Sequence, residues 1–144
     1  TLKPQLGLLR FEQGDLTLAD LPGLISGANE GVGLGLRFLA HIERCRALAH
    51  LCDLSVEKDE QIIENYRIIR NEIENYGNLV SKKKEIIILT KSDLVCKNKI
   101  RKRSDILKKY SKSDVTIISS LKKDGINKLK SIFREILDEK TTTY

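Results

Sequence analysis

Methionine and tryptophan are absent from the 144-residue chain, proline occurs twice, and aromatic residues make up only 5%. So few rings leave little with which to build a base-stacking platform for single-stranded nucleic acid. The missing methionine includes position 1, which reads as a chain whose true start lies upstream. Three cysteines, Cys45, Cys52 and Cys96, are odd in number and show no C-x-x-C spacing. They read as reduced thiols in the cytosol rather than as a disulfide framework. With only His41 and His50 to help them, a zinc site is a poor fit. No run approaches the ~18 apolar residues of a membrane span, and no secretory leader is visible. No Gly-Lys pair occurs anywhere, so the phosphate loop G-x-x-x-x-G-K-[ST] is missing. The dinucleotide fingerprint G-x-G-x-x-G also fails, because its third glycine position falls on Leu36 or Phe38.

What remains suits one soluble domain. Hydrophobic residues are 40% and charged residues 32%, with a net charge of +6. The excess concentrates between Lys97 and Lys112, where Lys99, Arg101, Lys102, Arg103, Lys108 and Lys109 intervene. Such a run can attract RNA, although a solvated lysine-rich helix is the reading that the Lys-, Ile- and Asn-rich composition favours. His41 reads as a surface residue and His50 as a core one, and Cys45 and Cys52 as core fillers.

Along the chain, Gln5 to Phe11 and Leu16 to Asp20 read as two strands of a hairpin turning at Gly14-Asp15. Residues 20–38, DLPGLISGANEGVGLGLRF, hold Gly23, Gly27, Gly31, Gly33 and Gly35. A helix from about Leu34 to Arg46 follows, with Leu34, Phe38 and Ile42 on one face. ALAHLCDL, Ala47 to Leu54, is an apolar strand, and Ser55 a candidate N-cap for the next helix. That helix is marked by Ile62, Tyr66, Ile69, Ile73 and Tyr76 and closes at Gly77. Then come a strand at Glu85 to Thr90, a basic helix at about Asn98 to Tyr110, and a strand at Val115 to Ser119. A turn at Asp124-Gly125 leads into a last helix carrying Leu129, Ile132, Phe133, Ile136 and Leu137. Strand and helix alternate from Ala47 onward, which predicts an α/β fold: a mostly parallel sheet with helices on both faces. In such sheets ligands sit at the carboxyl ends of the strands.

Three strand ends there are polar and short-chained: Asp20-Leu21-Pro22-Gly23, Thr90-Lys91-Ser92-Asp93 and Ser119-Ser120-Leu121. Singly each is an ordinary turn. In this order, with TLKPQLG, DLPGLISGANEGVGLGLRFLAHIER, TKSD and ISSLKKDGI, the chain resembles the guanine-nucleotide domain of the Obg family of P-loop GTPases. The resemblance covers essentially the whole chain, residues 1–144, as a partial G domain running from the first-switch threonine to the final helix.

The resemblance implies GTP or GDP as ligand and hydrolysis of GTP to GDP and phosphate with Mg2+. Thr1 would ligate the magnesium and Asp20 would hold it through water. Leu21, Pro22 and Gly23 would belong to the nucleotide site, Gly23 turning its amide to the terminal phosphate, with the later glycines serving the motion of a second switch. Lys91 would lay its stem along the purine. Asp93 would accept from guanine N1–H and its 2-amino group, donors that adenine lacks. Thr90, Ser92 and Ser119 would frame the base, and the Ser120 and Leu121 amides would meet guanine O6. The family usually has Asn where this chain has Thr90, and a hydroxyl cannot copy both halves of an amide. Leu24 stands where many GTPases orient water with Gln. No residue is therefore assigned to the chemical step, and the resemblance implies other groups, K+ among them.

A three-layer P-loop NTPase-type sheet is thus expected, missing its central first strand and its Walker A loop. The sheet order would place that strand between those ending at Asp20 and beginning at Ala47. Such a gap leaves two rows of backbone groups unpaired, so poor stability and no useful GTP turnover are expected of the chain alone. The implied setting is cytoplasmic and monomeric, with the large ribosomal subunit or its RNA as partner, in ribosome assembly and stress response. The competing reading is a non-hydrolytic RNA- or ribosome-binding module that holds RNA through Lys97 to Lys112. An ATPase is disfavoured by Asp93.

Overall fold

In a computed structural model of the chain, residues 6–20, 43–75 and 77–139 are described. Strands β1 (Leu6–Phe11) and β2 (Gly14–Ala19) pair antiparallel, from Leu6 opposite Ala19 to Phe11 opposite Gly14. The turn is Glu12-Gln13, not the Gly14-Asp15 pair expected from composition. Register is decided by burial: a turn at Gly14-Asp15 would have set Leu9 against Asp20, whereas the observed pairing sets Leu9 against Leu16. Leu9, Phe11 and Leu16 all pack against the core.

Strands β3 (Ala47–Asp53), β4 (Lys84–Thr90) and β5 (Val115–Ile117) form a separate parallel sheet in the order β3-β4-β5. The helices are α1 (Glu60–Asn75), the short α2 (Asn78–Ser81), α3 (Lys97–Ser111) and α4 (Ile126–Asp138). Alternate residues of β4 point to opposite faces, and both faces are covered. Ile87 and Leu89, at 0% exposure, meet Ile62 and Tyr66 of α1 and Leu107 of α3. Ile86 and Ile88 meet Phe133 and Ile136 of α4. The hairpin packs against the same cluster through Leu9, Phe11 and Leu16, with the Arg134 guanidinium 5.4 Å above the Phe11 ring. The α/β architecture with helices on both faces of a parallel sheet is therefore as expected.

Two further expectations need revision. Ser55 is not an N-cap: its amide and hydroxyl both donate to Asp53 Oδ1, at 2.8 and 2.6 Å, which makes a tight turn directly after β3. Helix α1 starts only at Glu60, after the Gln61 side chain has reached back to the Lys58 amide at 2.8 Å. The basic stretch is not uniformly solvated either, because Arg103 is buried. The expected helix from Leu34 lies outside the described residues up to position 42.

Strand β3 is covered on one face only. Leu48, His50 and Cys52 are buried, while Ala49 is exposed and Leu51 is 62% exposed. Among the described residues β3 pairs with β4 alone, and β2 pairs with β1 alone.

At the amino end of β4 a polar network is sealed between sheet and α1. Glu85 accepts from the Tyr66 hydroxyl at 2.5 Å and from Arg70 at 3.3 Å, and lies 3.3 Å from His50 Nδ1. His50 and Tyr66 stack at 4.8 Å, and Arg70 also donates to the Ser81 carbonyl, tying in α2. Burial pushes the Glu85 carboxyl up, but the His50 and Tyr66 hydrogen bonds and the Arg70 charge outweigh it and hold the group below its ordinary value. Burial and the Glu85 charge push the Cys52 thiol up to about 12, so it stays protonated. A carboxyl depressed on folding contributes stability above its unfolded value of 4.5, which is lost as pH falls through the folded value. Urea unfolding should therefore show stability declining from about pH 4.5 downward. E85Q should be less stable at pH 7 and show a flatter acid limb.

Candidate functional site at the strand ends

Because β3, β4 and β5 run parallel, their carboxyl ends meet at one edge of the sheet. Asp53 and Thr90 are register partners there, and the Ile118 amide donates to the Leu89 carbonyl at 2.8 Å, carrying β5 to the same level. The Thr90 hydroxyl donates to the Cys52 carbonyl at 3.4 Å, and the Leu54 amide to the Thr90 carbonyl at 3.1 Å. Thr90 thus serves as a tie between β4 and β3.

The chain then turns sharply. Lys91 adopts the left-handed conformation, φ 62° and ψ 36°, which costs a non-glycine residue on the order of 1 kcal/mol. The cost is offset by what it permits. The Leu94 amide returns to the Lys91 carbonyl at 3.0 Å, and the Ser92 amide reaches the Ile118 carbonyl at 3.2 Å. The single 3-10 turn Ser92–Leu94 is thereby fastened onto the end of β5.

Asp93 points across to the β5 side. Its Oδ1 accepts from the Ser119 hydroxyl at 2.7 Å, and the same hydroxyl oxygen accepts from the Lys122 amide at 3.1 Å. An oxygen that already accepts from an amide must turn its own proton to the carboxylate, so the Ser119 rotor is fixed. Ser119 is wholly buried, while Asp93 is exposed. Paired backbone bonds between Ser119 and Asp124, 3.0 and 3.1 Å, close the loop that holds Ser120 and Leu121, and Leu121 is 76% exposed. Gly125 ends this loop at φ 74°, and an added Cβ would stand 2.1 Å from the Ile117 carbonyl oxygen. No side chain fits there without moving β5.

Lys91 points the other way. Its ammonium lies 3.0 Å from Asp53 Oδ2. Burial raises the Asp53 carboxyl, but the two Ser55 hydrogen bonds and the Lys91 ammonium prevail and hold it below the ordinary carboxylate range. Behind it, Arg103 of α3, with its side chain 3% exposed, reaches under the loop that follows β3. It donates to the Leu54 and Val56 carbonyls at 2.6 Å each, to the Glu57 carbonyl at 3.3 Å and to Asp59 Oδ1 at 2.8 Å. Lys102 adds a bond to Asp59 Oδ2 at 3.0 Å. A shallow groove of about 190 Å³ between Ser55, Leu94, Lys99 and Arg103 lies beside the Asp93 turn rather than over it.

Of the residues singled out from sequence, Thr90, Lys91, Ser92, Asp93 and Ser119 are brought into one cluster, with Ser120 and Leu121 on its adjoining loop. Asp20 is exposed at the end of β2 and is not part of the cluster. Thr1, Leu21, Pro22 and Gly23 lie outside the described residues. Asp53, Ser55 and Arg103 belong to the cluster's support and were not anticipated.

A family model described as 50S ribosome-binding GTPase matches residues 1–91. That is more than half of the 144 residues. The chain belongs to this GTPase family. Curated relatives named GTPase Obg match beyond the family model, through the Asp93 turn and the Ser119 loop. The protein of Pelagibacter ubique (strain HTCC1062) is 44% identical over 134 residues, 91% of this chain and 39% of the relative. That of Anaplasma phagocytophilum (strain HZ) is 41% identical over 139 residues, 96% of this chain and 38% of the relative. That of Ehrlichia canis (strain Jake) is 41% identical over 143 residues, 99% of this chain and 41% of the relative. The Obg resemblance read from the motifs thus stands, and the chain spans about two fifths of the length of these relatives.

Replacing Gly125 by Ala should destabilise the fold by at least ~1 kcal/mol from the backbone alone, with more from the Ile117 contact. Chemical denaturation of the variant checks this, and an unchanged midpoint would show that the loop relaxes freely.

Proposed function

We propose that this chain is the guanine-recognition part of an Obg-type G domain that binds GTP and GDP and hydrolyses GTP with Mg2+. The observation that carries the reading is the Asp93 carboxylate, exposed to a ligand yet oriented from behind by the wholly buried Ser119. A carboxylate has about four lone-pair sites. After Ser119 has taken one, both oxygens still have capacity for guanine N1–H and the 2-amino group. Lys91 would support the purine face, and the Ser120 and Leu121 amides would meet O6. Thr90 holds β3 and need not touch the ligand.

Magnesium would be held by residues other than those of the base turn. Asp20 offers the hard oxygen such an ion prefers, and Thr1 would be its partner. When bound, the ion would neutralise charge on the phosphates. The carboxylate at Asp20 would orient its water, Gly23 would give its amide to the terminal phosphate, and K+ would assist where Leu24 cannot. Among the described residues β3 pairs along one edge only, which suits an added central strand that would bring the phosphate loop. For the whole protein, a role at the large ribosomal subunit is supported by the family's description, and a cytoplasmic, monomeric protein goes with that proposal. No described helix is long and apolar enough to cross a membrane.

A second reading, RNA binding without hydrolysis, is favoured by Lys97, Lys99, Arg101, Lys108 and Lys109, exposed along α3, and Lys112, exposed at its C-cap. Titration calorimetry on the full-length protein separates the two. GTP should bind at least tenfold more tightly than ITP or ATP, since an unmatched acceptor costs ~1–3 kcal/mol. D93N should lose GTP and gain xanthosine triphosphate, whose O2 can accept from the new amide. Equal affinity for GTP and ATP, or salt-sensitive RNA binding with no nucleotide bound, would overturn the guanine assignment.

A further inference from the structure

The base-recognition turn is tethered on two sides. Asp93 is held toward β5 by Ser119, and Lys91 is held toward β3 by Asp53. Asp53 is the register partner of Thr90, so the ammonium contact directs the Lys91 side chain, itself 55% exposed, from the end of β4 toward the end of β3. Lysine loses much rotamer freedom when it is fixed, and its stem is useful as a shelf for a flat ring only once it is fixed. A counter-charge at the far end of the stem does this.

We propose that Asp53 is a positioning residue for purine binding: it anchors the Lys91 ammonium so that the lysine stem is laid out beneath the base before the ligand arrives. The inference rests on the guanine-nucleotide reading above and goes beyond it, because Asp53 is not among the residues that touch the base. The anchor is itself fixed. Ser55 supplies two hydrogen bonds to Asp53 Oδ1, leaving Oδ2 for Lys91. The following loop is pinned by the buried Arg103 through three main-chain carbonyls. Arg103 lies on α3, the helix that directly follows the base turn, so turn and anchor share one rigid support. The left-handed Lys91 backbone is a further sign of a position set by its surroundings.

The test is a double-mutant cycle in the full-length protein, with GDP affinity measured by calorimetry and melting temperature recorded in parallel. D53N should weaken GDP about threefold, the order expected of a half-exposed ion pair. K91M, which keeps an apolar stem without the charge, should do the same. The double variant should be no weaker than K91M alone, because Asp53 acts through that ammonium. S55A, which loosens Asp53 without removing charge, should weaken GDP less than D53N does. Preference for GDP over IDP should be unchanged in D53N, since Asp93 is intact. Additive losses in the double variant, or D53N binding GDP like the wild type, would overturn the proposal while leaving the guanine reading in place. A wild-type protein that binds no GDP would overturn both.

Discussion

Burial of β4 on both faces is the constraint from which the rest of the structure follows. Ile87 and Leu89 are sealed by α1 and α3, and Ile86 and Ile88 by α4, with the hairpin packed against the same cluster. A strand fixed on two faces and paired on two edges, with β3 and β5, has no freedom to slide. The turn at its carboxyl end therefore starts from a fixed point. Asp93 and Lys91 are oriented by short connections near that point: the Lys91 carbonyl accepting from the Leu94 amide, the Ser92 amide donating to the Ile118 carbonyl, the Ser119 hydroxyl, and the ammonium meeting Asp53.

The two ends of the sheet solve the problem of buried charge differently. At the amino end, Glu85 is surrounded by Tyr66, His50 and Arg70, donors from the neighbouring strand and α1. At the carboxyl end, Arg103 meets mainly backbone carbonyls. Both are satisfied, as a buried ion must be if it is not to weigh heavily against folding. The first binds α1 to the sheet; the second binds α3 to the loop after β3. The helices packed on this face are thus tied to the sheet by polar contacts as well as by apolar packing.

Much of this was legible from residue pattern. The Ile-rich run before Thr90 announced a doubly buried strand, and the alternation of strands and helices gave the layers. Thr90 to Asp93 and Ser119 to Leu121 were recognisable because strand ends in a parallel sheet gather at one edge. What escaped notice had physical causes. Asp53 lies within an apolar run, ALAHLCDL, and looked like one more strand residue, since its partner Lys91 is 38 positions away. Arg103 sits among lysines, and nothing local distinguishes a guanidinium that turns inward from neighbours that face water. The signal available was helical phase, for Arg103 shares a face with Ile100 and Leu107, both packed in the core. The hairpin turn slipped by two residues because Gly14 and Asp15 are good corner residues, while the register was chosen by Leu9 and Leu16.

The Arg103 contact also bears on how sequences of this kind can drift. Its partners at Leu54, Val56 and Glu57 offer only their carbonyls, a group that every amino acid carries. Glu57, whose side chain is exposed, could be exchanged for another residue without removing the acceptor. Coding changes at that position would be nearly silent for the scaffold, whereas a single change at 103 would strip several acceptors of their donor at once. Variation near the end of β3 should therefore be uneven, permissive at Glu57 and severe at a residue more than forty positions further along.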